Sequence, residues 1–110
     1  MGKPTIEQLT GSWQVIKWIS KKGTEFNESR HRWDLTENGK ATYFLVKPDS
    51  LFMDENRQNW KVSDEPNGDG NYSIIINGKD KEIILTVEDK LLITKAADKG
   101  EATYYYAKRY

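Results

Sequence analysis

The feature that most constrains this chain is its punctuation. Between Trp13 and Lys108, short runs of alternating apolar and polar residues are cut apart by turn chemistry. The cuts include Lys21-Lys22-Gly23-Thr24, Glu37-Asn38-Gly39, Lys47-Pro48-Asp49-Ser50 and Asn77-Gly78-Lys79-Asp80. An alternation of period two puts successive side chains on opposite faces of a strand, and Asn-Gly supplies the positive φ that tight hairpin turns need. No segment sustains a 3.6-residue period beyond the first ten residues. There, Thr5-x-x-Gln8 after Pro4 forms a capping box, with Ile6 and Leu9 on one face. That predicts one helical turn, placed to plug an end of whatever follows.

The runs are Trp13 to Ser20, Arg30 to Thr36, Lys40 to Val46, Asn59 to Ser63, Asn71 to Ile76, Lys81 to Val87, Lys90 to Lys95 and Ala102 to Lys108. Leu51 to Met53 reads as a strand end or a loop plug. About eight strands at this spacing, in one domain over residues 1–110, predict an all-β sandwich or barrel. Short connections favour a meander of neighbouring hairpins over Greek-key crossings, and closing the meander removes exposed edges. The expected fold is a single antiparallel up-and-down β-barrel with a short N-terminal helical turn. An eight-stranded barrel has room for its own side chains or for one small ligand.

Composition excludes several functions. Lys plus Arg and Asp plus Glu each total 17, so the net charge is zero and the basic excess expected of a nucleic-acid binder is missing. Without cysteine there are no disulfides, thiolate metal sites or cysteine nucleophiles. No apolar run approaches the roughly 20 residues of a membrane span. Met1-Gly2-Lys3-Pro4 lacks the apolar stretch of a signal peptide, which leaves two compartments open: the cytoplasm, or export with the leader removed.

Leu9-Thr10-Gly11-Ser12-Trp13, at the start of the first strand, resembles the Gly-x-Trp signature of lipocalins. The Leu35-Thr36-Glu37-Asn38-Gly39-Lys40 hairpin, and the ending from Lys90-Leu91-Leu92-Ile93 to Tyr104-Tyr105-Tyr106, are similar to short bacterial lipocalin-like domains of the calycin type. The resemblance implies a non-catalytic barrel that binds a small hydrophobic ligand. It also implies that Gly11 and Trp13 close the barrel floor beneath a basic residue of the last strand, Arg109 or Lys108. A cation over an indole gains on the order of 1 kcal/mol when desolvated. The long lipocalins' C-terminal helix and second motif have no counterpart here. Lys21 to Ser29 is too short for the helical lid of fatty-acid-binding proteins, and Gln14-Val15-Ile16-Lys17 replaces the polar biotin contacts of avidin-like barrels.

Candidate ligand-binding residues are Trp18, His31, Trp33, Tyr43, Trp60, Tyr104 and Tyr106. His31, the only histidine, alternates in phase with Trp33 and Leu35. It is either a polar anchor for a ligand headgroup or a surface or hydrogen-bonded histidine amid Arg30 and Arg32. The aromatics either line a cavity or fill the barrel outright. Glu65, Asn67, Asp69 and Gly70 fall on the spacing of a calcium loop. Ile76 stands where the bidentate glutamate belongs and Pro66 intrudes, so a polar hairpin loop is expected, with no metal. No nucleophile elbow, phosphate loop or apolar acidic pair supports catalysis, and no cofactor motif is present.

Two functions compete. The first is a barrel that takes a small hydrophobic ligand through one open end. The second is a filled barrel serving protein interaction or dimerisation, with Ile75, Ile84 and Leu92 out of phase with the inner faces and forming an exposed apolar patch. Expected partners are therefore a small ligand or a second copy, with no nucleic acid and no integral membrane segment.

Overall fold

Alternating runs joined by tight turns build neighbouring antiparallel strands, and here the first and last of them meet. The computed structural model describes residues 2–27, 31–47, 50–53, 58–97 and 102–108. Its elements are α1 (Ile6–Leu9), β1 (Gly11–Ile19), β2 (Glu25–Phe26), β3 (His31–Leu35), β4 (Lys40–Lys47), β5 (Ser50–Met53), β6 (Gln58–Val62), β7 (Ser73–Ile76), β8 (Lys79–Val87), β9 (Leu91–Ala96) and β10 (Thr103–Lys108). Among the described residues, eight strands form a closed antiparallel ring in the order β1-β3-β4-β6-β7-β8-β9-β10. β10 pairs back on β1 from Trp13↔Lys108 to Ile19↔Thr103. The short strands β2 and β5 pair with the far parts of β1 and β4 and stand apart from the ring. The expected up-and-down barrel is the observed fold.

Two turns show how local chemistry sets the register. Asn77 and Gly78 both take positive φ, 51° and 81°, as a two-residue type I′ hairpin requires. In the β3–β4 hairpin the positive φ falls on Gly39, at 82°, while Gly39 N donates to Thr36 O at 3.2 Å and Thr36 N to Lys40 O at 2.9 Å. That is the three-residue loop form, whose glycine absorbs the left-handed step. The 64–70 loop is held by Asn67, whose Oδ1 accepts from the backbone N–H groups of Asp69 and Asn71, both at 2.9 Å.

One end of the barrel is packed solid. Leu9, Trp13 and Ile84 are fully buried, with Val15, Leu35, Ile74, Leu92 and Trp60 around them. The capping box forms as the sequence predicts: Gln8 N donates to Thr5 Oγ1 at 3.1 Å and Thr5 N to Gln8 Oε1 at 2.8 Å. Of the two apolar residues placed on one face of α1, only Leu9 enters the core, whereas Ile6 is 52% exposed. A helix of four residues is too short to bring both against the floor. Trp60 belongs to this core and pins the β3–β4 hairpin, its indole N–H donating to Thr36 O at 2.9 Å.

The exposed apolar patch is corrected by the register. Ile84 and Leu92 lie in the core, and of the three residues only Ile75 stays outside it, half-buried. For Ile84 the cause is a β-bulge. Pairing along β8–β9 shifts between Ile84 and Thr86, so Leu85 is an extra residue and the inward phase resets around it. Similar shifts occur in β1 between Val15 and Lys17, and in β7–β8 beside Ile74. Simple alternation extended through such a site assigns every later side chain to the wrong face.

Candidate functional site

Above the packed floor the barrel opens. A cavity of about 690 Å³ occupies the other half of the lumen. Its aromatic wall is Trp33 and Tyr43 from β3 and β4, with Tyr104 and Tyr106 from β10; Val15, Ile76 and Ala96 add apolar surface. His31, Gln58, Asn77, Lys79, Asp80 and Lys81 form the polar part of the lining, and most of them are exposed at the rim. The strands bring these groups together because inward positions recur every second residue, so Trp33 and His31 share a face, as do Tyr104 and Tyr106. Below the cavity a void of about 10 Å³ lies among Trp13, Trp33, Leu35, Ile74, Leu92 and Tyr106. That is at the lower limit for one water, and apart from Glu82 and Tyr106 its walls are apolar. The filled-core and open-cavity expectations each describe one half of the same barrel.

Of the seven residues singled out for ligand contact, five line the cavity: His31, Trp33, Tyr43, Tyr104 and Tyr106. Trp18 stands beside it, stacked on Phe26 with ring centroids 4.1 Å apart and lying 6.3 Å from Tyr104. Trp60 is not among the lining residues and sits in the core. At the floor, Lys108 Nζ lies 5.7 Å from the Trp13 ring centroid, and the Trp13 indole N–H donates to Leu9 O at 2.9 Å. Arg109 lies outside the described residues. Gly11, at a φ of 141°, gives the chain the turn from α1 into β1.

The residue that sequence reasoning missed is Glu82. It is the second residue of the Lys81 to Val87 run, in the phase it shares with Ile84, which simple alternation turns outward. The structure buries it to 6% exposure on the lumen wall. Ile75 pairs with Asp80 and Ile74 with Glu82, so Lys81 is the extra residue of a bulge, and that bulge turns Glu82 inward. Glu82 Oε1 accepts from Tyr106 OH at 2.5 Å and from Thr94 Oγ1 at 2.7 Å. Burial pushes the Glu82 carboxyl above its ordinary pKa, against the opposing pull of these two donors and the Lys81 ammonium. Burial also drives the Tyr106 phenol well up, reinforced by Glu82, so Tyr106 stays a donor.

At the rim, His31 Nδ1 and the Tyr43 hydroxyl are hydrogen-bonded, with ring centroids 5.6 Å apart. Desolvation lowers the His31 pKa, which favours a neutral imidazole, and raises that of Tyr43. The resulting lining is neutral aromatic surface with hydroxyls at intervals and one carboxyl set deep in the wall. Among the described residues no group of three or more histidine, cysteine or acidic side chains could hold a metal ion.

No protein-family model matches the chain, and no curated protein matches it. Solved structures do. A lipocalin-like protein from Bacteroides uniformis superposes with a TM-score of 0.69 at 14% identity, covering 93% of this chain and 99% of that one. An uncharacterized protein from Bacteroides eggerthii gives a TM-score of 0.66 at 11% identity, covering 91% and 98%. Both likenesses run nearly end to end at low identity, so what is shared is architecture: the chain has the lipocalin-like β-barrel fold.

Proposed function

We propose that this protein is a non-catalytic binding barrel that holds a small molecule with an aromatic or apolar body in the open half of its lumen. The observation that carries this reading is the cavity itself. Its volume of about 690 Å³ falls within the range of small-molecule sites, and a rigid, packed floor supports it. Aromatic rings on three strands offer flat apolar surface, and their hydroxyls and the rim residues supply a few polar anchors. The purely hydrophobic ligand implied by the lipocalin resemblance fits this lining less well than an amphipathic one. The alternative of a filled interaction module loses its support once Ile84 and Leu92 lie in the core.

The test is titration with N-phenylnaphthylamine, a neutral dye whose emission rises in apolar surroundings. Binding should bring energy transfer from Trp33 and a rise in melting temperature. Ala96→Phe, which adds a ring to the cavity wall, should abolish dye uptake while the barrel still melts cooperatively. If the wild-type protein shows neither dye enhancement nor a thermal shift, the reading is wrong.

A further inference from the structure

Glu82 has more chemistry than the fold needs. Both of its hydrogen bonds fall on Oε1, and no described residue places a donor on Oε2. A glutamine could accept the same two hydroxyl protons on its amide oxygen and leave no charge to bury. Burying an ionisable group without a counter-charge is costly, so a purely structural role favours the amide. The second oxygen and the charge therefore call for a use outside the core.

The surroundings indicate which use. In a ring of eight strands, β8 stands diametrically opposite β3, so Glu82 faces Trp33 across the lumen. Trp33 packs against Tyr43 with centroids 5.1 Å apart, and Tyr106 lies 6.2 Å from Tyr104. Aromatic faces carry negative potential and attract cations within about 6 Å of the ring centroid. Lys79, Asp80 and Lys81 are exposed at the rim, where solvent and salt screen them. Among the described lining residues, Glu82 is the one charged side chain that is buried.

We propose that the lumen selects an organic ammonium ion, a small amine with an aromatic or apolar body, whose cationic head pairs with the Glu82 carboxylate amid the Tyr106 and Trp33 rings. This inference rests on the lumen-binding reading above and names the ligand's headgroup. The cation supplies a counter-charge inside the lumen, where Lys81 acts on the carboxyl only from the exposed rim, and the apolar body occupies the volume under the rim. Thr94 and Tyr106 fix the carboxyl in place, so little side-chain freedom is lost on binding.

Three probes of matched shape test it by calorimetry near neutral pH: phenethylammonium, phenethyl alcohol and hydrocinnamate. The ammonium should bind at least about tenfold more tightly than the alcohol, and the carboxylate more weakly than both. In Glu82→Gln the ammonium should lose that advantage, its affinity falling to within about twofold of the alcohol's. Equal wild-type affinities for ammonium and alcohol, or a preference for the carboxylate, overturn the ammonium proposal while dye uptake leaves lumen binding standing. An ammonium preference that survives Glu82→Gln also overturns it. Failure of the dye and all three probes overturns the lumen reading and this one together. The wild-type comparison needs no variant, so a poorly folding Glu82→Gln protein does not shield the proposal.

Discussion

Trp13→Phe tests whether the floor of the barrel is held by the residue that opens its first strand. Trp13 is fully buried, so the three ring atoms lost in the exchange come entirely from packed interior. At ~0.8 kcal/mol per buried methylene-sized group, that is about 2.5 kcal/mol. The indole N–H to Leu9 O bond at 2.9 Å also disappears and leaves a carbonyl at the end of α1 without that donor, a further loss of ~1 kcal/mol. A total of about 3.5 kcal/mol is large beside the 5–15 kcal/mol typical of whole domains. With an unfolding entropy of ~2.1 cal/mol/K per residue, it lowers Tm by about 15 °C for a chain of this length. Circular-dichroism melts and urea titrations measure it directly. Lys108→Met serves as the companion: it keeps the aliphatic stem and removes the ammonium 5.7 Å from the ring, for ~0.5–1 kcal/mol. That effect should shrink in the Trp13→Phe background, because the better half of the pair is gone. A Trp13→Phe shift under about 5 °C would refute the idea that this side chain organises the floor.

Other expectations follow from the same geometry. Glu82 has a folded pKa raised above the ordinary 4.5. Between those two values the folded protein holds a proton that the unfolded chain has released, so stability falls as pH rises through that window and levels off above it. Glu82→Gln should therefore match the wild type below pH 4.5 and exceed it above, and a Tm difference that ignores pH would contradict this. Tyr106→Phe removes one donor from the buried carboxyl and should cost about 1.5–3 kcal/mol where Glu82 is charged, and less in acid, read by urea unfolding at two pH values. Gly39→Ala puts an L-residue at a φ of 82°, and should cost ~1–2 kcal/mol through backbone handedness. The added Cβ itself meets only ordinary contact, with Trp60 O at 3.5 Å. Thr5→Ala deletes the capping box and should lower stability by ~1 kcal/mol, a small shift in the melt that marks how firmly α1 is docked.

Most of the barrel was legible because alternation and turn residues act locally. Asn77-Gly78 announces its hairpin and the Thr5 to Gln8 box its helical turn, each from chemistry within a few residues, whereas a floor position for Trp13 came only from the lipocalin resemblance. The aromatic wall was legible for the same reason: His31, Trp33, Tyr43, Tyr104 and Tyr106 sit on strands with no bulge between the paired positions. The bulges themselves were not legible. Whether Lys81 or Leu85 is the extra residue depends on which partner its neighbours pair with, and that is decided across the sheet. Glu82 was lost for that reason: alternation set it outward with Ile84, and the phase is reset one residue before it. Trp60 faces inward in phase with Val62, but at the packed end of the barrel, where its indole reaches a carbonyl on a neighbouring hairpin; strand periodicity does not encode which end a residue occupies.

The pairing of β1 with β10 has a temporal consequence. Other ring contacts join strands that follow one another closely, so those hairpins can assemble while the chain is still being synthesised. The seam from Trp13↔Lys108 to Ile19↔Thr103 joins strands at opposite ends of the domain, and it waits until Lys108 has left the ribosome. Until then β1 and β9 each present an open edge to whatever is nearby. The vulnerable moment in this protein's life is the interval before that seam closes, and substitutions that slow its zipping should show as lost yield in cells before they show as lost stability in a purified sample.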